Sequence, residues 1–122
     1  MATTYEVAAR STDVFGRVLC TTRDHHFVID GPVSNGAPGE EVTPSEAFLA
    51  GVAACAVELL QALALQDGVP LAAVSADIAG DLDREHPVRE DVTVFNRVRL
   101  RLELAGVERG DAERLVERFK GR

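Results

Sequence analysis

A chain of 122 residues is enough for one domain with one modest core. It is 46% hydrophobic and 27% charged, the balance of an ordinary globular protein, and with 5% aromatic residues and no Trp its core must be mainly aliphatic. A formal net charge of -7 and a pI near 4.9 argue against a nucleic-acid surface, which needs clustered Lys and Arg, and against an anionic membrane.

The N-terminus, Met1 to Glu6, lacks a basic segment followed by an apolar one, so no signal peptide is expected and the default location is the cytoplasm. The two cysteines, Cys20 and Cys55, are then expected as free thiols rather than a disulfide. The first thirty residues read as short strands: Tyr5–Ala8 weakly, Gly16–Cys20 better, and Phe27–Ile29 as a short apolar run. From Asp30 to Val42 the residues Gly31, Pro32, Asn35, Gly36, Pro38 and Gly39 supply turn chemistry, and the segment reads as a loop.

A helix start follows. Thr43 can cap, Pro44 suits the first helical position, and Glu46 completes a capping box. The helix should run to about Gln66, with Asp67-Gly68 as a left-handed cap and Pro70 as a stop. Its first half is apolar on every side, so it should be central and covered by a sheet or by a partner chain. Glu58 and Gln61 interrupt the apolar run around Cys55, which reads as too short for a transmembrane span.

Two strands come next. Ala76, Ile78, Gly80 and Leu82 alternate with Asp77, Ala79, Asp81 and Asp83; then Val98, Leu100, Leu102 and Leu104 alternate with Arg97, Arg99, Arg101 and Glu103. Arg84 to Asp91, with His86-Pro87, reads as a loop, and the nearby acidic residues as a solvated edge. Asp111 is expected to cap a short final helix with the apolar stripe Leu115, Val116 and Phe119, ended by Gly121. Strands, a core helix, strands and a helix make an α+β domain, residues 1–122.

Three groups carry possible chemistry. Cys55 is either a packed thiol or a nucleophile; it lies about three turns into its helix, too deep for the helix dipole to activate it, so a nucleophile there needs an external cation. Glu46 is accounted for by capping alone. It lies nine residues from Cys55, a rotation of about 180° and a rise of about 13 Å, so the two can share a site only if a second copy of the chain supplies one of them. Cys20, on a strand, is either packing or a partner thiol for Cys55. His25, His26 and His86 show no metal-ligand spacing, no phosphate or dinucleotide loop is present, and neither a metal nor a cofactor is expected.

The run Thr43-Pro44-Ser45-Glu46 through Ala54-Cys55 resembles the signature of the OsmC/Ohr family of thiol peroxidases. His25 to Pro32, Phe95 to Leu100 and Leu115 to Lys120 resemble that family's OsmC-like branch as well, so the similarity spans most of the chain. The resemblance implies an intertwined α+β homodimer with its sites at the subunit interface. It implies reduction of organic hydroperoxides, with Cys55 as the peroxidatic thiol and Glu46 orienting an arginine that lowers the thiol pKa. Arg17 and Arg23 lie in the region of that arginine, and Arg17 is the candidate. In the family a second cysteine resolves the sulfenic acid and a dithiol reductant restores both thiols. That cysteine usually follows a helix like Asp111 to Lys120, so the chain, ending at Gly121-Arg122, is expected either to be C-terminally truncated relative to the family or to lack the resolving thiol. Two other readings stay open: a non-catalytic dimer of the same fold that binds a small apolar ligand, and a single-thiol redox sensor.

Overall fold

The computed structural model describes residues 1–122, and the chain divides into two compact units, residues 1–48 and 49–122. In the first unit, β1 (Ala8–Ser11), β2 (Arg17–Thr22) and β3 (His25–Asp30) form an antiparallel sheet in the order β1-β2-β3. The expected strand at Tyr5–Ala8 is displaced to Ala8–Ser11, where pairing with β2 from Ala8↔Thr21 to Ser11↔Val18 outweighs the lack of any apolar alternation. The β2–β3 hairpin turns at Arg23-Asp24 and pairs Arg17 with Asp30 at its far end. Arg23 takes a φ of 53°, a left-handed conformation that disfavours a side chain with a Cβ. After β3 the chain makes one 3-10 turn, Val33–Asn35, ended by left-handed Gly36. Ala37 is buried where the hairpin and loop meet: a Cβ on Gly16 would lie 2.3 Å from the Ala37 side chain.

Helix α1 (Pro44–Gln66) begins in the first unit and lies mostly in the second. Its start is the expected capping box: Thr43 donates its backbone N–H and its hydroxyl to Glu46 Oε1 at 3.0 and 2.8 Å, and the Glu46 N–H returns to the Thr43 hydroxyl at 3.4 Å. Its end is a Schellman motif, with Gly68 at φ 66°, Gly68 N–H on the Leu65 carbonyl and Val69 N–H on that of Ala64. α1 has the expected span, but the expectation that its apolar run is too short for a membrane does not hold: its 23 residues are long and apolar enough to cross one by length and composition, a test that a core helix also passes.

In the second unit β4 (Ala73–Asp81) and β5 (Arg97–Ala105) form an antiparallel ribbon, and α2 (Arg109–Lys120) closes the chain. Both strands alternate, with Val74, Ala76, Ile78, Leu100, Leu102 and Leu104 less exposed than the residues between them, but Val98, expected on the covered face, is 46% exposed. β4 starts earlier and stops at Asp81, because beyond it the Asp83 N–H goes to the Asn96 side chain instead of a ladder partner. Gly80 is required by packing: a Cβ there would lie 2.8 Å from the Phe95 ring. The core is Leu60, Leu63 and Ala64 of α1 with Leu115 of α2, flanked by Val74, Leu102, Leu104, Val116 and Phe119. The cap of α2 is Glu108, not Asp111; Asp111 sits inside the first turn and pairs with Arg114, and an Arg118–Asp67 ion pair ties α2 to the end of α1.

The buried residues of α1 are Ala56, Leu60, Leu63 and Ala64. Phe48 is 61% exposed, Val52 40% and Leu65 84%, although the helix is apolar nearly all round. Truncating Leu60 to Ala should cost about 2–5 kcal/mol in denaturant unfolding, since its side chain is fully buried. Arg23→Gly should instead stabilise by about 1 kcal/mol, visible as a higher unfolding midpoint with an unchanged slope.

Candidate active site

Cys55 stands about three turns into α1 with its side chain exposed, while Cys20 is buried on β2, and both are free thiols. One step on from Cys55, Ala56 is fully buried, and four further on Leu60 is too, so the thiol lies beside the packed stripe of α1 rather than in it. Exposure of a Cys at this position is unusual for a residue that normally packs, and it leaves the sulfur open to a reagent.

Glu46 is held by Thr43. The Thr43 backbone N–H and then its hydroxyl favour the charged carboxylate and hold its pKa below the usual glutamate value. Both bonds go to Oε1, so the structural role of Glu46 accounts for one of its two oxygens. α1 is continuous from Pro44 to Gln66, so Glu46 and Cys55 keep the nine-residue helical separation that points them to opposite sides.

Arg17 has different partners from those expected. Its Nε and Nη2 bond Asp30 Oδ1 and Oδ2, each at 2.8 Å, and Nη2 also lies 3.5 Å from Glu40 Oε1. Asp30 is fully buried and accepts two further bonds, from the Glu40 and Glu41 backbone N–H groups at 3.1 and 3.0 Å. The bidentate arginine, followed by the two backbone donors, holds the Asp30 carboxyl far below the ordinary carboxylate range despite its burial, and Asp30 in turn raises the Arg17 pKa. The network fastens the start of β2, the end of β3 and the loop at residues 40–41 to one another. Sequence reading missed Asp30, which looked like the first residue of a loop. The signal was available in the register, since a two-residue turn at Arg23-Asp24 sets residues 17 and 30 opposite each other.

One trio of possible metal ligands forms that spacing did not reveal. Asp83, Glu85 and His86 bring one ligand atom each within 4.8 Å of one another in the exposed β4–β5 loop. Asn96 holds that loop, accepting from the Asp83 N–H at 2.7 Å and donating to the His86 carbonyl at 2.6 Å. His86 Nδ1, 2.9 Å from Asp83 Oδ2, is the main reason the Asp83 pKa is lowered, with the Glu85 N–H second. This trio could hold a metal ion, and its exposure equally suits a solvated turn.

Comparison with known proteins places this architecture. The sequence model for the family described as OsmC-like protein matches residues 37–122, and the chain belongs to that family. No curated protein matches it by sequence. Its fold is similar to an OsmC-like protein from Mycoplasma pneumoniae, with a TM-score of 0.84, 15% identity, and 100% of this chain and 84% of that one covered. It is also similar to an organic hydroperoxide resistance protein OsmC from Legionella pneumophila (TM-score 0.74, 23% identity, 98% and 83% covered). A third is the organic hydroperoxide resistance protein OhrB of Bacillus subtilis (TM-score 0.61, 23% identity, 96% and 83% covered). The chain therefore has the OsmC-like α+β fold that its helix motif resembled.

The Asp30 network makes a prediction about acid. A carboxylate whose folded pKa is depressed binds fewer protons folded than unfolded, so its contribution is complete above the unfolded value near 4 and is lost as pH falls below it. Urea titrations of the wild type and Asp30→Asn should therefore differ widely at pH 7, and the gap should narrow as pH is lowered from about 4. A gap already closed at pH 6 would show that the buried carboxylate does not hold the unit together.

Proposed function

We propose that the protein reduces organic hydroperoxides through Cys55, in the cytoplasm and as a homodimer, with a dithiol reductant completing the cycle. The observation that carries the reading is the exposed free thiol of Cys55 on the central helix of an OsmC-family chain. Structural neighbours described as organic hydroperoxide resistance proteins support it.

The Cys55 thiolate would attack the terminal oxygen of the hydroperoxide. The S–O bond forms as the O–O bond breaks, Cys55 becomes a sulfenic acid, and the remaining oxygen leaves as an alcohol once it gains a proton. One thiol of the reductant then attacks the sulfenic sulfur with loss of water, and its second thiol displaces Cys55 to leave the reductant as a disulfide. This route requires no second cysteine of the protein.

Two observations support a second copy. α1 leaves Val52 and Leu65 exposed, apolar surface that pairing would remove from water. Glu46 and Cys55 point to opposite sides of one helix, so a shared site needs Glu46 from one copy and Cys55 from the other. Arg17 would have to leave Asp30 and Glu40 to serve the thiolate. Its double commitment speaks against that role, and the proposal uses Arg17 as the anchor of its own sheet.

Sedimentation velocity should show a dimer, and a monomer at micromolar concentration would remove the shared-site part of the reading. One equivalent of cumene hydroperoxide followed by dimedone should label Cys55 and consume the peroxide. Cys55→Ser should leave the peroxide intact. An unlabelled wild-type Cys55 with all the peroxide remaining would overturn the assignment.

A further inference from the structure

Glu58 is the one ionisable side chain on α1 between Glu46 and the helix end, apart from Cys55 itself. From Ala47 to Leu65 the only other polar side chain is Gln61. Glu58 is exposed and takes part in no ion pair. Its helical neighbours three and four residues away are Ala54, Cys55, Gln61 and Ala62, so α1 offers it no cation. A carboxylate placed only for solubility would be expected among other charges, not alone in an apolar stretch.

Its position relative to the thiol is specific. Cys55 and Glu58 are three residues apart, on the same side of the helix, with Cβ atoms about 5–6 Å from each other. Helical side chains lean toward the N-terminus, so Glu58 leans back over the turn that carries Cys55. A carboxylate there is placed to move a proton between the sulfur and an atom bound next to it.

We propose that Glu58 is the proton carrier of the Cys55 reaction. Its carboxylate takes the proton of the Cys55 thiol, the sulfur attacks the terminal oxygen of the hydroperoxide, and the carboxylic acid returns that proton to the oxygen released when the O–O bond breaks. Thiol plus hydroperoxide gives sulfenic acid plus alcohol, Glu58 ends as it began, and no further reactant is needed. This rests on the peroxidase reading above and deepens it: the substrate class becomes hydroperoxides whose leaving alkoxide is too basic to depart without a proton. Peracids, which release a weakly basic carboxylate, need no such help.

The test compares wild type with Glu58→Gln, with thermal melts to show that both are folded. Three reactions of Cys55 are followed at pH 7: alkylation by iodoacetamide, oxidation by cumene hydroperoxide and oxidation by peracetic acid. Glu58→Gln removes both proton steps from the reaction with cumene hydroperoxide and only the first from the other two, so oxidation by cumene hydroperoxide should slow by about a hundredfold and by clearly more than alkylation or oxidation by peracetic acid. A rate with cumene hydroperoxide that holds, or that falls no further than alkylation, would overturn the role of Glu58 while leaving the peroxidase reading intact. A wild type that reacts with iodoacetamide but with neither oxidant would overturn the peroxidase reading, and the proton carrier with it.

Discussion

The 3.6-residue period of α1 is the constraint on which the second unit and its chemistry depend. One stripe of the helix, Leu60, Leu63 and Ala64, meets Leu115 of α2 and makes the core. The same period turns Cys55 and Glu58 away from that stripe and leaves them exposed. A shift of the thiol by one position toward the C-terminus would put it in the buried place of Ala56. The two ends of the helix are fixed by hydrogen bonds rather than by packing: the Thr43–Glu46 box at the start, the Gly68 motif at the finish. Register along the helix is thereby set from both sides, and the thiol is held at one place on a rigid element.

The first unit depends on a different device. Its three short strands bury little apolar area, and Leu19, Phe27 and Val28 all remain partly exposed. What fastens them is a buried carboxylate with four donors, two from Arg17 and two from the backbone at Glu40 and Glu41. A buried ion pair costs much to desolvate and is tolerated where every lone pair finds a donor, as it does at Asp30. The arrangement makes Arg17 a poor source of charge for chemistry elsewhere. A carboxylate pair around one guanidinium leaves no net positive charge, and this is why the proposed reaction looks to Glu58 for proton transfer rather than to Arg17 for thiolate stabilisation.

Legibility in the sequence followed the strength of local signals. α1 could be read to within a residue because capping residues and a left-handed glycine mark it at both ends. β5 was equally plain, since charged residues, Arg97, Arg99, Arg101 and Glu103, alternate with aliphatics. β1 could not be read: Ala8-Ala9-Arg10-Ser11 has no pattern, and only pairing with β2 makes it a strand. The Arg17–Asp30 pair was hidden because the turn that brings the two together contains Arg23 where glycine or asparagine would have announced a hairpin. The Asp83, Glu85 and His86 trio was hidden for a similar reason, because Asn96, ten or more residues away, folds that loop. The OsmC-like motif around Cys55 was local and therefore visible, whereas Glu58 looked like an interruption of an apolar run until its place beside the thiol was considered.

The central claim is that Cys55, exposed on α1, is a hydroperoxide-reactive thiol and not a surface cysteine of ordinary reactivity. The most direct measurement is a competition at pH 7 between the protein and free cysteine for a limiting amount of cumene hydroperoxide, read by mass spectrometry of both. The account predicts that Cys55 takes nearly all the oxidant at equal concentrations and that buried Cys20 takes none. Oxidation shared in proportion to thiol concentration, or falling first on Cys20, would contradict it.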